Sequence, residues 1–83
     1  MGHIVEKEII KLQKTIGKNV RKKRKEKGLS QLKLSEEIGQ KSTTIISQAE
    51  LGKGKHFNVE QLYKISKVLD CDICDFFIAD SDE

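Results

Sequence analysis

The sequence predicts an all-α fold of five helices, and three observations carry that prediction. Apolar residues recur at spacings of three and four, and nowhere do they alternate as in a half-buried strand. Proline is absent, so glycines and capping side chains must set the helix limits. Three residues suited to capping a helix start, Ser30, Asn58 and Asp72, each stand at the head of an apolar run.

The first helix is expected over residues 4–27. Ile9, Leu12, Ile16 and Val20 lie at spacings of three, four and four and mark its inner face. Gly17 interrupts it at a cost of about 1 kcal/mol relative to alanine, which marks a close approach or a bend. Gly28 ends it as a left-handed residue. Four residues beyond Val20 the stripe reaches Arg24. If that guanidinium points inward it needs a carboxylate, because a buried unpaired charge costs several kcal/mol. If the stripe has ended, Arg24 is one more base in the basic run 21–25.

A second helix starts at Ser30, with Leu34 and Ile38 on one face and Ser35 small enough to admit a neighbour. Gly39 ends it after about two turns. A third follows over residues 42–50, with Ile46 and Ala49 buried and Thr43, Thr44, Ser47 and Gln48 turned outward. The loop 51–56 is basic and glycine-rich. The fourth helix opens on a capping box of Asn58 and Gln61, flanked by a hydrophobic staple of Phe57 and Leu62. Val59, Leu62, Ser66 and Leu69 form its inner face, with Ile65 beside it. Asp72 caps a last turn carrying Ile73, Phe76 and Phe77.

With 83 residues there is room for one small domain. Apolar residues make up 36% and charged residues 35%, the balance of a folded chain with a charged surface rather than a disordered one. The chain is too short for the large α/β enzyme folds. It shows no nucleophile–base pair, no paired carboxylates and no phosphate loop, so it is not expected to be an enzyme or to need a cofactor or metal. No apolar run approaches the ~20 residues of a membrane span, and Glu6, Lys7 and Glu8 break any signal-peptide core. A cytoplasmic location without membrane contact is expected.

The net charge of +3 conceals an asymmetry. Residues 1–69 hold all 16 bases against 7 acids, a balance of +9, while residues 70–83 hold six acids and no base. A basic body of this kind favours a polyanion. Cys71 and Cys74 are spaced as C-x-x-C, but no histidine stands near them and no βαβ pattern surrounds them, so both are expected to be reduced and packed.

Two short helices joined by a tight, glycine-started turn form a helix-turn-helix pattern. Around it stand Ile16-Gly17, Val20-Arg21, Arg24 and Gly28-Leu29-Ser30-Gln31. Leu34-Ser35, Gly39, Ile46-Ser47-Gln48-Ala49-Glu50, Gly52-Lys53 and the run from Leu62 to Leu69 follow. Over about residues 16–77 the chain resembles the lambda-repressor/Cro-like helix-turn-helix regulators, the XRE family. It departs from that pattern by one extra residue between Gly39 and Glu50 and another between Gly52 and Leu62. The first leaves Ile45 as an alternative to Ile46 at the buried position.

The resemblance implies a lambda-repressor-like domain over residues 16–78, preceded by a helical extension (1–15) and followed by an acidic tail (79–83). It implies a sequence-specific, double-stranded-DNA-binding transcriptional regulator that acts as a homodimer on a palindromic operator. Lys41, Ser42, Thr43, Thr44, Ser47 and Gln48 would read bases from the third helix. Gln31 matches a helix-start glutamine that contacts phosphate or base. Lys53, Lys55 and His56, on the basic loop, are the further expected phosphate contacts. Arg24 and Glu50 would form a structural ion pair. The alternative is an antitoxin-like module that uses the same scaffold, with the N-terminal extension, to bind a protein.

Overall fold

The computed structural model describes residues 2–79, with side chains described from Val5 onward. Helix α1 spans Gly2–Glu26, α2 Gln31–Glu37, α3 Thr44–Leu51 and α4 Val59–Val68, and a 3-10 helix closes the fold at Ile73–Phe77. The fifth helix expected from the sequence is therefore this five-residue 3-10 segment. Its three-residue period turns Ile73 and Phe76 toward the core together. The acids at 80–83, which make up nearly all of the expected tail, lie outside the described residues.

One core joins all these elements: Ile16 and Val20 of α1, Leu34 and Ile38, Ile46 and Ala49 of α3, Phe57, Leu62, Ile65, Leu69 and Phe76. Ile46 takes the buried position of α3 and Ile45 is half-buried beside it. The extra residue after Gly39 is thus absorbed in the turn, and α3 starts at Thr44 rather than at Ser42.

Only the second half of α1 enters the core. Ile9 and Leu12, expected on the buried face, are 46% and 43% exposed. The core reaches α1 from Ile16 onward. Ahead of that point, among the described residues, Phe77 and the loop 52–56 flank the helix without covering its stripe. Val59 also departs from expectation at 73% exposed. As the first residue of α4 it turns outward, and Phe57 and Leu62 of the staple fill the space beneath the helix start. The cysteines differ from each other: Cys71 is half-buried against the core, whereas Cys74 is exposed. Cys74 sits between the two inward positions of the 3-10 turn, so its thiol points away from the core.

Gly17 settles the choice between bend and close approach. A Cβ built at Gly17 would fall on the carbonyl oxygen of Ala49, so α1 and the end of α3 meet backbone to backbone there. Two residues on, Asn19 Nδ2 donates to the carbonyl oxygens of both Phe76 and Ile78, at 2.8 Å each, and ties the closing turn onto α1.

The four α-helices end alike. The amides of Leu29, Gln40, Lys53 and Cys71 each bond the carbonyl five residues earlier, at 2.8–3.1 Å. The residue before each of these has a left-handed φ. Three of those residues are Gly28, Gly39 and Gly52, and the fourth is Asp70 at φ 54°.

Candidate nucleic-acid interface

The start of α2 is fixed by Ser30, whose hydroxyl accepts from the Lys33 amide at 3.0 Å. Ser35 is buried on the inner face and donates back to the Gln31 carbonyl. The tight end of α2 at Gly39 then delivers the chain to α3 through residues 40–43.

From behind, α3 is held by its last full turn. Arg24 and Glu50 are 7% and 5% exposed and meet as a fork. Arg24 Nε donates to Glu50 Oε2 at 2.8 Å and Nη2 to Oε1 at 3.0 Å. The remaining guanidinium nitrogen, Nη1, donates to the Leu29 carbonyl at 2.7 Å, in the turn that leads to α2. Gln31 Nε2 adds a third donor to the carboxylate, at 3.0 Å from Oε1. A buried charge pair is tolerable when each of its buried nitrogens and oxygens has a hydrogen-bond partner, as here. The carboxylate thus joins α1, the first residue of α2 and the end of α3.

The sequence-derived base-contacting residues divide into two groups. Lys41, Ser42 and Thr43 lie in the turn before α3, and Thr44, Ser47 and Gln48 lie on the helix. Lys41, Ser42, Thr44 and Gln48 are exposed. Thr43 and Ser47 are half-buried rather than turned fully outward, because they flank the buried Ile46 in helical spacing. Thr43 occupies the N-cap position without a side-chain cap bond. Ser42 takes over part of that task, accepting from the Thr44 amide at 3.4 Å. The Ser47 hydroxyl donates to the Thr44 carbonyl. Gln48 and Lys41 have no side-chain hydrogen bond or ion pair among the described residues, which leaves both available to an outside ligand.

Of the expected phosphate contacts, Lys53, Lys55 and His56 are all exposed on the loop after α3. Gln31 is half-buried. One N–H of its amide is occupied by Glu50, and the other N–H remains to donate outward. A contact missed from the sequence joins this loop to α1: a cleft between them is lined by Ile10, Gln13 and Lys14 on one side and Gly52, Gly54, Lys55 and His56 on the other. Asn19 was also missed. Its position beside the apolar stripe was the only signal it gave.

Among the described residues no three His, Cys, Asp or Glu side chains converge as metal ligands, and no helix is long and apolar enough to cross a membrane. Neither cysteine is set up as a nucleophile. Burial pushes the Cys71 thiol above its ordinary pKa, and the charge of Asp72 does the same at Cys74.

No curated protein is significantly similar to the chain. The family model described as helix-turn-helix matches residues 20–76, more than two thirds of the chain. That span contains the Arg24–Glu50 fork, both short helices and the left-handed turns between them. The protein belongs to the helix-turn-helix family of Cro/lambda-repressor-like, XRE-type DNA-binding regulators.

Proposed function

We propose that the protein is a sequence-specific transcriptional regulator that acts as a homodimer on a two-fold symmetric operator. The observation that carries this reading is the position of Gln48 and Thr44. Both are exposed on a helix whose opposite face is fixed by Gly17 and by the Arg24–Glu50 fork. In this reading α3 and the turn before it enter the major groove. Gln48 is suited to a bidentate contact with adenine, Lys41 to donation toward guanine, and threonine methyls to contact with thymine methyls. Ser42, Thr43 and Ser47 complete the reading segment. Gln31, Lys53, Lys55 and His56 grip phosphates and set orientation. The segment ahead of residue 16 serves self-association, not DNA reading.

Selection of bound sequences from a random duplex pool tests this reading, and a palindromic consensus is the expected result. On the selected site Gln48→Ala should weaken binding by about 1–3 kcal/mol and leave random-sequence binding almost unchanged. Neutralising Lys53 and Lys55 should weaken all sequences alike and flatten the salt dependence by about 0.9 log units per lost phosphate contact. A pool that yields no preferred sequence would overturn the proposal.

A further inference from the structure

The first half of α1 is an amphipathic helix whose apolar side has no cover among the described residues. Val5, Ile9 and Leu12 are exposed on it, and they continue the stripe that becomes core at Ile16. Beside them lies Phe77, the exposed end of the closing turn. Leu12 and Phe77 line one groove, rimmed by Glu8, Lys11 and Thr15. The N-terminal extension and the apolar end of the fold therefore form a single surface, although 65 residues separate Leu12 from Phe77 in the chain.

We propose that this surface is the dimer interface and that its occupant is a second copy of the same helix, packed antiparallel. The proposal rests on the homodimeric reading above and assigns its contact face. Three features of the molecule favour a second copy over another partner.

The first is spacing. Positions 5, 9, 12 and 16 follow one another by four, three and four, the repeat of a two-helix seam. A two-fold axis passing between residues 10 and 11 sets Ile9 against Leu12 of the second copy, twice over. It also brings Val5 to the edge of the second copy's core, beside Ile16. Such a contact is closed, so assembly stops at two.

The second is charge. In that arrangement Glu6 meets Gln13 and Glu8 meets Thr15 of the second copy, so no like charges face each other across the seam. Lys7 and Lys14 fall on the opposite side of the helix by the same spacing.

The third is size. Val5, Ile9, Leu12 and Phe77 are each 42–52% exposed, which for four side chains of this size leaves an apolar patch on the order of 300 Å², the scale of the biggest patch on many monomers. A standard interface covers about 800 Å² on each partner, a little over half of it apolar. With the stems of the rim residues, the patch supplies most of one such side.

Sedimentation of the full chain without DNA tests the assignment. The unmodified protein should form a dimer whose population rises with concentration. Ile9→Glu and, separately, Phe77→Ser should each raise the dimer dissociation constant more than about thirtyfold, the loss expected for a central anchor. Circular dichroism should show the helical signal retained. Lys7→Glu, on the far side of the helix, should leave the dimer intact.

A second experiment does not depend on how those variants fold. With Cys71 and Cys74 replaced by serine, the pair Ile9→Cys and Leu12→Cys should oxidise to a covalent dimer. A chain that stays monomeric at its highest soluble concentration overturns the proposal, as does a dimer untouched by Ile9→Glu and Phe77→Ser. Capture of a different protein on this face without self-association also overturns it. The DNA selection separates the two failures: a monomeric chain that still selects a single preferred half-site overturns this interface and leaves base reading by α3 standing, whereas a pool with no preferred sequence overturns the DNA-binding reading.

Discussion

Glu50 accepts three hydrogen bonds from two side chains while almost wholly shielded from water. Removing either charge leaves the other buried without its partner, and such a loss costs about 3–5 kcal/mol. Arg24→Ala and Glu50→Ala are each expected to destabilise the protein by about that amount. The double variant should lose much less than the sum, and urea unfolding of the four proteins in the cycle measures the coupling. The cysteines make a second prediction at this scale. Cys74 is exposed, yet Asp72 beside it disfavours the thiolate and so raises its pKa above the ordinary thiol value. Alkylation should be slow at neutral pH and accelerate only as the pH rises past the usual thiol range. Asp72→Asn should make it faster at every pH below that, which a time course of iodoacetamide labelling in a Cys71→Ser background would show. The stability linkage runs in the same direction. A thiol pKa raised by folding, as at Cys71, costs nothing while both states are protonated, and stability declines as the pH climbs above the unfolded thiol's pKa.

At the scale of elements, the common helix ending separates a glycine solution from a non-glycine one. Gly28, Gly39 and Gly52 adopt the left-handed conformation without a Cβ penalty, whereas Asp70 adopts it at φ 54° with one. Asp70→Gly removes that strain but adds freedom to the unfolded chain. The net expectation is a gain of about 0.5 kcal/mol, seen as a melting temperature ~3 °C higher. A lower melting temperature would mean that the Asp70 side chain contributes more than its backbone conformation costs. The elements also show what periodicity and capping make legible. Ser30, Asn58 and Asp72 cap where their chemistry placed them, because a cap depends on only three or four adjacent residues. Three things depended on more distant parts of the chain. The exposure of Ile9 and Leu12 is set by where the body of the fold stops along α1, which no local pattern encodes. Asn19 finds its partners 57 and 59 residues away. The start of α3 shifted to Thr44 because the turn, and not the helix, absorbed the extra residue. On the candidate interface, residue types suited to base contacts were readable in advance. The use of one Gln31 N–H on Glu50 was not, because it needs the α2–α3 geometry.

Seen whole, the molecule measures 39 × 27 × 18 Å, and its long dimension is close to the ~37 Å of a 25-residue α-helix at 1.5 Å per residue. One unbroken rod thus belongs to two environments. From Ile16 onward it is pinned by core contacts, by Gly17 against Ala49, by Asn19 and by Arg24. From Val5 to Thr15 no core residue anchors it, and a free helix of ~12–15 residues is marginal in water. Backbone amides should report this as two lifetimes within one helix. In dilute protein, deuterium should replace the amide hydrogens of residues 5–15 quickly, while those of residues 20–26 exchange only through openings close to global unfolding. Raising the protein concentration should slow the first group by covering its helix and the second because the dimer must come apart before the chain unfolds, so protection would spread along α1 toward its N-terminus as copies meet.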